Sequence, residues 1–166
     1  MQALSEPGVA ASFNRLITRE LPDRRGLAAW TALLRAHATL MRHLETELYK
    51  EIGLPLADFD VLALLALAGG QLRMTELAAQ ALGSRSGMTR RVDRLVREGL
   101  VCRAATEADG RGVVVGLTDA GVARLSEAAP LHLRGVSTLF IDKLDDQELA
   151  HLESALDKVA FDCSFG

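Results

Sequence analysis

The apolar residues of this chain change their spacing along its length, and each change marks an element. Across residues 27–52, Trp30, Leu33, Leu34, Leu40, Met41, Leu44 and Leu48 recur at helical spacing, while Arg35, Arg42, Glu45 and Glu47 fall largely elsewhere. This predicts a long amphipathic helix that needs something to lie on. Gly53-Leu54-Pro55 breaks it, and Leu56–Leu67 is so uniformly apolar that a helix at the centre of the fold is expected. Gly69-Gly70 ends that helix, and Gln71–Arg73 is a candidate small strand. Residues 74–82 (MTELAAQAL) predict a short helix, joined through Gly83-Ser84 to a second helix over residues 84–97. At about 100° per residue, that second helix puts Met88, Val92, Leu95 and Val96 on one side and Ser86, Arg90, Arg94 and Arg97 on the other.

After Gly99, the pattern shortens to two strands, 100–105 and Val113–Leu117, around a loop whose tip is Asp109-Gly110-Arg111-Gly112. This is a β-wing. Beyond it, Thr118 is placed to cap a long helix running to about Lys143, with Pro130 as a kink and Gly135 as a weak point. A last helix starts at Asp145, where Asp145 and Glu148 have capping-box spacing, and it presents Leu149, Leu152, Leu156 and Val159 as an apolar stripe. Residues 12–20 read equally as a short extra helix or as part of a loose arm. The expected fold is mainly α with a small β-wing.

The net charge of −3 is unevenly spread. Residues 84–111 hold seven arginines against Asp93, Glu98, Glu107 and Asp109, so this segment is about +3 and the remainder about −6. A basic head on an acidic body attracts phosphate without coating nucleic acid indiscriminately. Two helices joined by so short a turn make a helix-turn-helix, and the arginine-bearing helix with its wing is a DNA-reading element. Ser84 can cap the helix, and the free N–H groups of the first turn suit a phosphate. Ser84, Arg85, Ser86, Thr89, Arg90, Arg91, Arg94, Arg97, Asp109 and Arg111 are the candidate DNA contacts. Arg90 is the first choice for a forked contact to guanine, against a charge-only phosphate contact, and Arg111 is the candidate for the flanking minor groove.

With MTELA at 74–78, SRSGMTRRVDRL at 84–95, EGLV at 98–101 and DGRGVVVGLTDAG at 109–121, the chain resembles the MarR family of winged helix-turn-helix transcriptional regulators over about residues 27–160. The resemblance implies an obligate homodimer. Its dimerisation helices are expected at 27–56 and 119–160, its DNA-binding lobe at 57–118, and residues 1–26 lie outside the family core. It also implies a palindromic operator, and usually repression released by a small aromatic or phenolic ligand held where the dimer-forming helices meet the lobe. Trp30, His37, His43 and Asp58 lie in the segments that would line such a pocket, although Trp30 and His37 also fit the helical stripe as packing residues. Position 91 departs from the family, which usually has an apolar residue there. Arg91 is expected either over the core edge or on a phosphate.

Other classes fare less well. The sequence holds no His-Glu-x-x-His, no paired-cysteine zinc spacing and no phosphate-cradling loop, and Ser86 lacks the glycine two residues before it that a nucleophile elbow needs. Neither an enzyme nor a cofactor is expected. Cys102 is read as a buried, inert thiol in preference to a redox sensor, and the peroxide-sensing cysteine position of the family is not a cysteine here. An architectural or protein-interaction winged helix remains the alternative of another class. The longest apolar run, residues 61–68, is far short of the roughly 20 residues that span a bilayer, and the N-terminus carries no export signal pattern. A cytoplasmic protein of one domain is expected.

Overall fold

Glycines with positive φ punctuate the chain: Gly53 (69°), Gly69 (83°), Gly70 (100°) and Gly99 (73°) end helices in conformations that side chains resist. The computed structural model describes residues 7–21, 24–80, 85–105 and 112–164. The chain divides into two units, Met1–Arg42 and His43–Gly166, which are described in turn. In the first, α1 spans Pro7–Glu20 and is followed by the N-terminal part of α2 (Arg24–Ile52). The helical alternative for the N-terminal segment is therefore the one observed. Val9, Phe13 and Leu16 of α1, and Trp30, Leu33 and Leu34 of α2, are exposed.

The second unit is built around α3 (Leu56–Leu67), whose Val61, Leu62 and Leu65 are inaccessible. The lobe continues through β1 (Gln71–Arg73), α4 (Met74–Gln80), α5 (Arg85–Arg97), β2 (Val101–Ala105) and β3 (Val113–Leu117). Leu77 of α4, Met88, Val92 and Leu95 of α5, and Val115 of β3 are buried with α3. Each such side chain stabilises the fold by about 1.5–3 kcal/mol relative to exposure. The strands form an antiparallel sheet in the order β1-β3-β2, so the short strand at 71–73 joins the wing and β2 lies at an edge. Val96, assigned to the packing side by the helical wheel, is 37% exposed, because the apolar stripe of α5 closes on Met88, Val92 and Leu95 alone.

From β3 the chain enters α6 (Asp119–Leu139) through a tight joint. The Thr118 hydroxyl accepts from the Gly121 amide at 3.0 Å, as the sequence implied, and donates to the Gly99 carbonyl at 2.7 Å. A Cβ on Gly121 would stand 2.0 Å from the Leu100 carbonyl oxygen, so only glycine fits where α6 starts against the end of α5. Gly135 serves a similar purpose. A Cβ there would lie 2.7 Å from Leu44, so the residue expected as a weak point is where α6 approaches α2 closely. The long helix ends earlier than expected, at Leu139, and Ile141–Lys143 forms a separate 3-10 turn. Asp145 and Glu148 make the reciprocal capping box at 2.8 and 3.0 Å that starts α7 (Asp146–Ser164). Its Leu149 and Leu152 are half-buried, whereas Leu156 and Val159 are exposed.

Candidate nucleic-acid interface

Helix α5 presents its arginines in two different ways. Met88, Val92 and Leu95 fix the helix on the lobe, so residues one position away on the wheel stand at the boundary of the core. Arg94 is such a residue. Its guanidinium donates to both carboxylate oxygens of Asp58 on α3, and the Nε of Arg91 lies 3.5 Å from the same carboxylate. Asp58 is 1% exposed, and these two cations are the partners that a carboxylate so removed from water needs. The helical wheel turns Arg94 outward toward DNA, and the family resemblance puts Asp58 in a segment that would line a ligand pocket. Instead, Asp58 draws Arg94 back and uses Arg91 as a second partner, which is the core-edge alternative for position 91.

Arg91 also faces Asp60. Burial raises the Asp60 carboxyl above its ordinary pKa of 3.8, the Arg91 charge opposes that shift, and the nearby Glu45 carboxylate adds to it. Glu45 has a further task. Pro55 offers no side-chain cap to α3, and Glu45 Oε2 accepts from the Leu56 amide at 2.7 Å. The helical pattern puts Glu45 on a polar face, because a cap supplied from eleven residues upstream has no local signature.

Thr89, Arg90 and Arg97 are exposed on α5. Among the described residues, no carboxylate pairs with Arg90, and Arg97 donates only locally, from Nε to the Asp93 carbonyl at 3.3 Å. The backbone of Arg85 and Ser86 begins α5. Ser84 with the helix-turn-helix turn at 81–84, and Asp109 and Arg111 at the wing tip, lie outside the described residues. On β2, Arg103 pairs with Asp93 of α5 and donates to the Thr89 carbonyl at 3.5 Å. Neither Arg103 nor Asp93 stood among the sequence candidates.

Cys102, expected to be buried, is exposed. Its register partner is Gly116, so it occupies the opposite face of the sheet from Val101 and Arg103, away from the core. Of the remaining pocket candidates, Trp30 and His37 belong to the first unit and His43 to the second, and all three are exposed. No described helix is long and apolar enough to cross a membrane.

A helix pair packed through α3, an arginine-bearing second helix and a three-stranded wing define a winged helix-turn-helix DNA-binding protein. Its relatives agree. The profile of the MarR family matches residues 52–112. An uncharacterised helix-turn-helix-type transcriptional regulator of Bacillus cereus is 31% identical over 134 residues, covering 81% of this chain and 88% of that protein. The fold is similar to that of AbsC, a MarR family transcriptional regulator from Streptomyces coelicolor, with a TM-score of 0.81 and 29% identity over 87% of this chain and 97% of that one. A second Streptomyces coelicolor MarR family regulator, solved in complex with DNA, aligns with a TM-score of 0.78 and 32% identity over 83% of this chain and 90% of its own. The chain belongs to the MarR family of DNA-binding transcriptional regulators.

Proposed function

We propose that this regulator binds an inverted-repeat operator as a homodimer, seating one α5 in each of two major grooves, and represses until a small aromatic or phenolic ligand releases it. The observation that carries the reading is the division of labour on α5. Asp58 holds Arg91 and Arg94 to the lobe, while Thr89, Arg90 and Arg97 stay exposed. Arg90 is the base-reading candidate, and Ser86 and Thr89 stand on the same helix. Two-fold symmetry of the protein requires half-sites about 10 base pairs apart, centre to centre.

Homodimerisation is supported by apolar side chains that a single chain leaves in water: Trp30, Leu33 and Leu34 on α2 and Leu156 and Val159 on α7. Ligand release is the usual behaviour of the family. The effector contacts that the family resemblance implies are exposed, Trp30 and His37 on the first unit and His43 on the second.

A salt titration on operator and scrambled duplexes tests the reading. A regulator keeps a specificity ratio of about 10³ or more at physiological salt. A ratio near one at every salt concentration makes the protein an architectural winged helix instead.

A further inference from the structure

We propose that Arg103 is a positioning residue for DNA binding: it clasps the wing strand β2 to the reading helix α5, and Asp93 is the other half of the clasp. In the register of the sheet, Arg103 stands opposite Val115, which is fully buried, so its side chain leaves the sheet on the face turned to the core. An inward cation in the middle of an edge strand needs a partner, and α5 supplies two acceptors. The guanidinium pairs with the Asp93 carboxylate and donates to the Thr89 carbonyl. Residues 89 and 93 are one helical turn apart, so a single planar group spans a full turn of α5 and fixes β2 along the helix as well as against it.

The consequence lies in what each end of the clasp carries. Thr89 is followed directly by Arg90 on the exposed face of α5, and β2 is one of the two strands of the wing. A protein that grips one duplex with a helix and a wing needs those two parts at a constant separation, and the clasp adds a side-chain tie to the 98–100 turn that joins them. The clasp also neutralises Asp93, a carboxylate on a helix that has to approach phosphates. Arg103, with about one third of its side chain exposed, is thus engaged by protein rather than offered to DNA. The inference rests on α5 being the helix that reads DNA.

The test uses the full-length protein and a duplex enriched by the wild-type protein from a randomised library. Asp93→Asn, Arg103→Gln and the double variant are expected to weaken binding to that duplex about fivefold each. The double should be no worse than the singles, and the salt slope of log K should remain within half a unit of wild type. A phosphate-contacting Arg103 gives a different pattern: Asp93→Asn then binds as tightly as wild type or tighter, because a negative charge has left the interface, and Arg103→Gln lowers the slope by about one. That pattern overturns the proposal. Hydrogen exchange without DNA reads the clasp separately from the DNA-binding reading. The amides of 101–105 are expected to exchange several-fold faster in either single variant, and unchanged exchange in both contradicts the clasp even if no duplex is enriched.

Discussion

The winged lobe and the helices that flank it solve the problem of apolar surface in opposite ways. In the lobe, α3, α4, α5 and β3 bring Leu62, Leu65, Leu77, Val92, Leu95 and Val115 together with no exposure, and even the buried Asp58 has its cations. On α1, the N-terminal half of α2 and the end of α7, apolar stripes of the same regularity remain in contact with water. Amphipathic periodicity therefore says which face of a helix is buried, but not whether its own chain or another copy does the burying.

The largest effect that separates the two regions comes from charging the unfinished stripe. Leu156→Glu with Val159→Glu should yield a monomer by sedimentation and lower affinity for an enriched duplex at least 100-fold, while circular dichroism keeps the helical signal of the lobe. If the variant stays dimeric, the α7 stripe is not part of the interface. Next comes the lobe's own electrostatics. Arg94→Ala strands the buried Asp58 carboxylate beside Arg91 alone, and it should cost about 2–4 kcal/mol in denaturant unfolding. Arg90→Ala, four residues earlier on the same helix, should change stability by less than about 0.5 kcal/mol. It should instead remove about 1–3 kcal/mol of discrimination between the enriched duplex and one altered at the contacted base. Equal stability losses in the two variants would erase the distinction between holding and reading arginines.

A smaller effect tests how tightly the lobe meets α6. His132 stacks on Phe59 of α3 with ring centroids 4.4 Å apart, and burial lowers its pKa below the ordinary 6.5. In the window just below pH 6.5 the unfolded chain then binds more protons than the folded one, so stability falls as pH falls through it. Asp60, with its pKa raised above 3.8, works in the other direction: its contribution is lost as pH rises from that value. Melting temperatures of wild type and His132→Gln between pH 7.5 and 5.5 should diverge, with only the wild type declining on account of this site. Parallel curves assign the pH response elsewhere.

Most of the architecture was legible because local rules and tertiary packing agree along most of the chain. The break at Gly53-Leu54-Pro55, the cap at Thr118, the capping box at Asp145 and the extra strand at Gln71–Arg73 each rest on residues close together in sequence. The ion pairs were not legible. Asp58 and Arg94 are 36 residues apart, and Asp93 and Arg103 are 10 apart across a turn, so no helical wheel relates them. One signal was available for the first: an aspartate in the almost wholly apolar Leu56–Leu67 demands a cation, and Arg91 already broke the apolar pattern of its own helix. Cys102 misled because it alternates with Val101, and the reading did not fix which of the two faces the core.

The central claim, that two copies of this chain present two α5 helices to one duplex, is tested most directly by selecting from a randomised duplex library and weighing the resulting complexes. The expected result is an enriched inverted repeat with half-site centres about one helical turn apart, bound by two chains. An enriched sequence without symmetry, bound by one chain, would contradict it.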